Sequence, residues 1–176
     1  MTVIHTIGHS TRPAADFVSL LTAHGIRTLV DVRTIPRSRH NPQFNSDTLE
    51  ATLAEHGIEY VHAPELGGLR KPRPDSINTG WRNTSFRGYA DYMQTPAFQT
   101  AVNRLVERAD QVPTAIMCAE ALPWRCHRSL VADALMARGH EAREIVSETK
   151  ATPHKLTPFA RVDGANVTYP PEGLQF

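Results

Sequence analysis

The densest group of chemically reactive side chains in this sequence is the segment CAEALPWRCHR, residues 118–128. It holds both cysteines of the chain, together with a glutamate, a histidine and two arginines. Cysteine, histidine and glutamate supply nucleophiles and proton-transfer groups, and arginine binds anions. The segment therefore predicts a catalytic loop, an anion site or both.

Cys126 is the candidate nucleophile of this segment. It stands at the start of a predicted helix, and its neighbours Arg125, His127 and Arg128 are basic. A helix amino terminus and nearby positive charges lower the pKa of a cysteine and favour the reactive thiolate. The alternative is a small residue at a helix start without a chemical role.

The other groups of the segment have two interpretations each. Glu120 follows a predicted strand and is a candidate general base or carboxylate nucleophile, the alternative being a structural pair with Arg125 or Arg128. His127 is a candidate for orienting or protonating a substrate, the alternative being a solvated or capping histidine. Cys118 lies in an apolar strand and is predicted to be inert core.

His9 and Ser10 lie in the predicted loop after the first strand, in the sequence GHST. If the first and fourth strands are neighbours, as is common in doubly wound sheets, His9 can meet His127 at the sheet edge. The helix amino terminus after Ser10 adds N–H groups that suit phosphate or carboxylate. GHST matches neither GxGxxG nor GxxxxGK[ST], which disfavours nicotinamide enzymes and P-loop NTPases.

The net charge of +1 conceals an uneven distribution of charge. Three predicted loops, residues 33–40, 64–88 and 118–128, hold ten basic and three acidic residues, whereas the rest of the chain holds nine basic and fifteen acidic residues. The simplest alternative is that loops are where solvated charges are found. A cationic cleft is favoured, because random placement would have put a similar number of acidic residues into these loops. Such a cleft attracts anionic ligands. The candidate substrate-binding residues are Ser10, Arg33, Arg37, Arg125 and Arg128.

The elements that position these residues follow from hydrophobic periodicity. Short apolar strands are predicted at 3–7, 28–32, 60–63, 114–118 and 142–146, and helical patterns lie between them. One helical pattern, at 88–110, is interrupted by Pro96 and predicts either one helix or two pieces. The order predicts an α/β, Rossmann-like three-layer sandwich with a mostly parallel sheet of about five strands and a short C-terminal β-hairpin.

The chain is predicted to form one α/β domain over residues 1–148, with a long basic insertion at 64–87 and an appended tail and hairpin at 149–176. No apolar window approaches the roughly 18 residues of a membrane span, so we expect a cytoplasmic protein without a membrane partner. Two cysteines in a reducing cytosol favour thiol or metal chemistry over a disulfide.

The ordered set TIGHS, LVDVRTIPRSR, YVHAPELGG, CAE and CHR resembles the family called domain of unknown function 488, or DUF488, known for its Cys-His-Arg motif. The resemblance runs from the first strand to about Val146, and the PFARVDG tail is similar to that of some members. It implies a compact α/β protein but no particular reaction. The positions that correspond to the family's motifs are His9, Ser10, Arg33, Glu120, Cys126, His127 and Arg128.

The residues favour an enzyme, a hydrolase or group transferase, that binds a phosphorylated or nucleotide-like anion, with Glu120, Cys126, His127 and His9 as catalytic candidates. One alternative is a nucleic-acid-binding module that uses the same basic loops, with Trp81, Phe86 and Trp124 available for stacking. A second is a metal or redox sensor. No cofactor is predicted; zinc held by the Cys/His cluster (Cys118, Cys126, His127 and His9) is a minority alternative, because no CxxC or HExxH spacing is present. The sequence makes no prediction of oligomeric state.

Overall fold

The computed structural model of the chain describes residues 1–171 and contains a main six-stranded sheet and a separate two-stranded hairpin. The strands are β1 (Val3–Gly8), β2 (Thr28–Asp31), β3 (Glu59–His62), β4 (Thr114–Cys118), β5 (Glu141–Ser147), β6 (Lys150–Pro153), β7 (Arg161–Asp163) and β8 (Asn166–Thr168). The α-helices are α1 (Ala14–Ala23), α2 (Ser46–Ala54), α3 (Thr84–Tyr92), α4 (Pro96–Gln111) and α5 (Arg128–Ala137). Short 3-10 turns lie at Pro42–Phe44, Pro64–Leu66 and Pro123–Arg125.

The main sheet has the strand order β3-β2-β4-β1-β5-β6, in which the first five strands are parallel and β6 is antiparallel to β5. All residues of β2 and β4 are buried, as expected for central parallel strands covered by helices on both faces. The predicted α/β sandwich is therefore confirmed. Because β4 lies between β1 and β2, the loops that follow these three strands start side by side.

Two apolar cores lie on opposite faces of the sheet. On one face, α1 and α2 pack Phe17, Leu21 and Leu53 against strand residues that include Met117. On the other face, α3, α4 and α5 pack against alternate strand residues, among them Ile116 and Cys118. The alternation of Ile116, Met117 and Cys118 between the cores follows from the period of two in a strand.

Two elements differ from the sequence-based prediction. Strand β6 lies in the segment predicted as an appended tail and hairpin, and it joins the main sheet instead. It ends in Pro153, which is compatible with an edge strand because such a strand can do without one N–H donor. Helix α3 begins at Thr84, inside the predicted insertion, since the Asn83 side chain accepts hydrogen bonds from two N–H groups of its first turn. The predicted interruption at Pro96 is confirmed, since the helical pattern is divided into α3 and α4 and Pro96 begins α4.

The predicted C-terminal hairpin is confirmed, with Asp163 opposite Asn166 in β7 and β8. Its flanking residue Tyr169 is buried against α5. Within residues 1–171, no helix is both long enough and apolar enough to span a membrane.

Candidate functional site

A cavity of about 390 Å³ lies at the carboxyl edge of the sheet, where the three predicted basic loops meet. Each loop contributes to its wall: residues 33–35 and 37 after β2, residues 68, 69, 85, 86 and 89 of the insertion and α3, and residues 118–120 and 125–127 at the end of β4 and beyond it. This is the edge at which ligands bind in open parallel sheets. The structure therefore places Arg33, Arg37, Glu120, Arg125, Cys126 and His127 around one cavity.

Cys118 and Cys126 are joined by a disulfide across the loop, and the described part of the chain has no free cysteine. Both residues are nearly buried, with 3% and 6% of their surface exposed. The prediction that thiol or metal chemistry is favoured over a disulfide therefore differs from the structure. The loop folds back between the end of β4 and the start of α5, which brings the two cysteines together. A nucleophilic Cys126 thus requires the reduced form of the protein.

His127 lies beside Cys126 at the start of α5. Its Nδ1 is 3.8 Å from Cys126 Sγ, and its Nε2 is 3.0 Å from the carbonyl oxygen of Val32. A carbonyl only accepts, so the Nε2 that faces Val32 carries a proton, and Nδ1 lies on the side of the sulfur. Burial lowers the pKa of His127 to about 4, and the nearby Arg128 charge acts in the same direction. The imidazole is therefore neutral at pH 7.

The sulfur of Cys126 also faces the backbone of α5. The Arg128 N–H lies 3.4 Å from Cys126 Sγ and donates to it. This places the sulfur at the positive end of a ten-residue helix, a setting that stabilises a thiolate after reduction.

The side chain of Arg128 is fully buried and does not line this cavity. Its Nη2 lies 2.6 Å from Glu144 Oε1, and Nε donates to the other carboxylate oxygen. Its remaining donors bind the carbonyl oxygens of Glu120 and Ala121 and the sulfur of Cys118. In the structure, Arg128 thus holds the loop of residues 118–128, the central loop, in place. The sequence alone predicts instead that Arg128 binds the substrate.

Arg33 is held in a similar internal pair. It is 6% exposed, forms a two-oxygen pair with Asp31, and donates from Nη2 to the carbonyl oxygen of Phe44. Tyr60 also donates to Asp31, at 2.5 Å. Only Nη1 of Arg33 is directed elsewhere, and it lies 3.4 Å from His9 Nε2. Arg33 therefore contributes to the wall of the cavity mainly as a fixed, partly neutralised group.

His9 and Ser10 lie one strand away, after β1. The parallel pairing of β1 with β4 is confirmed, and Ser10 N–H donates to the carbonyl oxygen of Ala119. His9 is buried and stacks on Phe44 at 4.3 Å, and burial lowers its pKa. The contacts of His9 are with Arg33, Phe44 and Ser10, whereas those of His127 are with Val32, Cys126 and Tyr89. The two strands are neighbours as predicted, but His9 and His127 have separate surroundings and do not meet at the sheet edge.

Gly8 allows the first loop to approach the central loop closely. A Cβ atom at this position would overlap the carbonyl oxygen of Glu120, the same oxygen that Arg128 binds. Only glycine fits between these two backbone segments. The GHST sequence therefore has a packing role at its first residue.

The charged side chains with the greatest freedom in the cavity wall are those of Arg37, Glu120 and Arg125, which are all exposed. None of the three forms an ion pair with another residue of the described range 1–171. The wall also includes Thr34, whose buried Oγ1 has no hydrogen-bond partner in that range. Arg37, Glu120 and Arg125 are available to a ligand.

The insertion at 64–87 is anchored to the body of the protein rather than standing away from it. The carboxylate of Asp91 in α3 accepts hydrogen bonds from Arg73 N–H, Ser76 Oγ and Asn78 Nδ2. Asn78 is fully buried and accepts from the backbone of Tyr169. Apart from exposed positions such as Leu69, this segment is a packed arm that supports one side of the cavity.

A protein-family model with the description Domain of unknown function DUF488 matches residues 13–135. The chain belongs to this family. The matched range contains every sequence-predicted site residue from Arg33 to Arg128, and it begins after His9 and Ser10. No curated protein and no solved structure matches the chain.

Sequence reasoning about this DUF488 protein missed the apolar wall of the cavity, which includes Ile35, Leu69 and Tyr89. Ile35 and Leu69 are 62% and 76% exposed, an unusual state for such side chains, but exposure cannot be inferred from one apolar residue in a loop. Among residues 1–171, no group of three or more His, Cys, Asp or Glu side chains is placed to hold a metal ion.

Proposed function

We propose that this DUF488 protein is an enzyme, a hydrolase or group transferase, that binds a phosphorylated or nucleotide-like anion in the cavity at the carboxyl edge of its sheet. The observation that supports this most strongly is the combination of unpaired Arg37 and Arg125 with the Cys126 and His127 pair in the wall of one cavity. Binding groups and a candidate nucleophile thus share one space, which is what group transfer requires.

The wall indicates the class of ligand. Arg37 and Arg125 can bind phosphate or carboxylate oxygens. Phe86, which is half-buried in the wall, provides aromatic surface that suits a flat ring. A volume of about 390 Å³ lies in the range of small-molecule sites, so a mononucleotide-like anion fits the chemistry.

The proposed catalytic roles follow from the contacts of the two adjacent residues. In the reduced protein, the N–H groups at the start of α5 favour the Cys126 thiolate, which loses its proton to solvent and attacks the electrophilic centre of the substrate, while the neutral His127 orients the sulfur. The leaving group takes a proton from solvent. Water, activated by Glu120, or an acceptor molecule then breaks the covalent intermediate and restores the thiolate. A thiol reductant is needed to open the disulfide before the first cycle.

Anion binding is tested with inorganic phosphate, adenosine monophosphate and uncharged adenosine as calorimetric probes. We expect the nucleotide to bind most tightly, and Arg37→Gln and Arg125→Gln each to weaken it by about tenfold, the effect of a lost charge-assisted contact of about 1.4 kcal/mol. Arg39→Gln is the matched control, since Arg39 is exposed in the same loop but outside the cavity. Equal losses in all three variants would indicate general electrostatic attraction instead of this site.

Catalysis is tested by screening phosphoester, nucleotide and acyl substrates with and without reductant. Cys126→Ser is expected to remove any turnover, whereas Cys118→Ala leaves Cys126 as a permanent thiol. The Cys118→Ala protein is therefore expected to act without reductant. Turnover that persists in Cys126→Ser would exclude Cys126 as nucleophile and leave Glu120 as the remaining candidate.

A nucleic-acid-binding function is the second candidate, favoured by the exposure of Trp124, which is 65% exposed beside Arg125. Trp81 gives less support, since it packs against Phe86, Phe159 and Tyr169. This function predicts affinity for single-stranded RNA that falls steeply with salt and with Arg82→Gln, but not with Arg27→Gln at the opposite sheet edge. Salt-independent binding, or none, would exclude it.

A further inference from the structure

A second cavity, of about 510 Å³, lies beside the amino end of α5 and is lined by residues from β5, β6 and the central loop. It uses residues 121–124 and Arg128 of that loop, whereas the first cavity uses residues 118–120 and 125–127. The two cavities therefore share a loop but not a lining residue. The enzyme function proposed above makes no use of the second cavity.

The wall of the second cavity is mainly apolar. It contains Leu122, Trp124, Ile145 and Val146, with Pro123 and Pro153 beside them. Trp124 and Val146 are 65% and 49% exposed, so two large apolar side chains are left in water. Covering them with an apolar group is favourable by the hydrophobic effect. The wall thus suits a ligand with an apolar body.

The charges of this wall are positive once the internal pairs are considered. Glu144 is neutralised by Arg128, and His154 lies 2.8 Å from Asp133. Arg12 and Lys155 line the same cavity and form no ion pair with any other residue from 1 to 171. Two cations thus remain for a ligand, and an apolar ligand with one anionic group complements them.

We propose that this second cavity is a binding site for a small amphipathic anion, a molecule with an apolar body and one carboxylate or sulfonate. The apolar residues bury the body, and Arg12 and Lys155 bind the head group. The concave shape and a volume in the range of small-ligand sites favour a small molecule over a macromolecular partner. The proposal is independent of the chemistry at Cys126.

The experiment uses octanoate as the probe, with octanol and octylamine as head-group controls, and follows binding by calorimetry and tryptophan fluorescence. Octanoate is expected to bind at least about tenfold more tightly than octanol, since one charge-assisted contact corresponds to about that factor. Octylamine is expected to bind most weakly because it meets two cations. Equal affinities for the three probes would overturn the proposal and indicate a nonspecific apolar surface.

Variants locate the site. Lys155→Gln is expected to weaken octanoate by about tenfold without changing octanol, and Trp124→Ala to weaken both. The matched controls are Lys150→Gln, an exposed lysine on β6 outside the cavity, and Ile77→Ala, an exposed apolar residue outside both cavities. Circular dichroism confirms that each variant is folded. Octanoate binding that is unchanged in both Lys155→Gln and Trp124→Ala would place the ligand elsewhere and overturn the proposal.

Sedimentation velocity measures the oligomeric state, which tests whether the surface is a contact between two copies of the chain. If Trp124→Ala dissociates an oligomer and octanoate does not bind, the surface is a contact between two copies of the chain and the proposal is wrong. Failure of nucleotide binding in the Arg37→Gln protein has no bearing on the result, because Arg37 does not line the second cavity.

Discussion

Nη2 of Arg128 lies 2.6 Å from Oε1 of Glu144, and this pair links the start of α5 to β5 inside the protein. The exposed fractions of the two side chains are 0% and 12%. From this position, the arginine also binds the carbonyl oxygens of Glu120 and Ala121. One buried guanidinium therefore connects the sheet, the helix and the loop that carries the candidate nucleophile.

Removing one partner of this pair is expected to destabilise the protein strongly. Arg128→Met leaves the Glu144 carboxylate without its cation, and breaking a buried pair in this way costs about 3–5 kcal/mol of unfolding free energy. Urea denaturation measures the loss. The control is Arg108→Met, which breaks the exposed pair with Glu59 and is expected to cost at most about 1 kcal/mol. Similar losses in the two variants would contradict a structural role for Arg128.

Reducing the bond between Cys118 and Cys126 is expected to lower the unfolding free energy by about 2–3 kcal/mol, the entropy effect of opening a loop of about nine residues. Alkylation followed by mass spectrometry is expected to add no label before reduction and two labels after it. The double variant Cys118→Ala/Cys126→Ala is the control and is expected to show the same stability with and without reductant. Two labels on the unreduced protein would contradict the disulfide.

The stability of the protein is expected to depend on the protonation of His127. Its pKa is about 4 in the folded protein and about 6.5 in the unfolded chain, so the unfolded state binds the proton more readily between these values. The contribution of His127 is therefore complete above about pH 6.5 and is lost as the pH falls toward 4. Compared with His127→Asn, the wild type is expected to lose about 2 kcal/mol more between pH 7.5 and 4.5. Exposed His40→Asn is the control, and a wild-type pH dependence identical to that of His127→Asn would contradict the assignment.

The loops of the site could be predicted from the sequence because strand ends are local features. The buried run at β4 and the helical period of α5 define the loop at 118–128, and the parallel order places it at the same edge as the loop after β2. Charge counting then identified three loops that do meet in one cavity. These inferences need only hydrophobic period and strand direction.

The partners of the charged groups could not be predicted in the same way. Arg128 pairs with Glu144, sixteen residues away on β5, and this contact depends on β5 lying beside β1. Arg33 pairs with Asp31, two residues earlier, but the same spacing also allows the guanidinium to point into solvent. The disulfide depends on how the intervening loop folds. Sequence therefore identified the cationic edge but did not separate the arginines that stabilise it from Arg37 and Arg125, which face the cavity.

Asp133 of α5 is expected to hold the C-terminal tail on the body of the protein. It is fully buried and accepts hydrogen bonds from Thr157 N–H, Thr157 Oγ1 and Tyr169 Oη, and it also lies 2.8 Å from His154 Nε2. Asp133→Ala removes all of these contacts and leaves the Tyr169 hydroxyl buried without an acceptor, so we expect a loss of about 2–5 kcal/mol. Asp163→Ala, at an exposed position in β7, is the control and is expected to change stability by less than about 0.5 kcal/mol.

Limited proteolysis is expected to cleave the tail of the Asp133→Ala protein first, because its attachment to α5 is lost while the sheet remains. If both variants are cleaved at the wild-type rate, the tail is held by the contacts of Trp81 and Asn78 with Tyr169 instead.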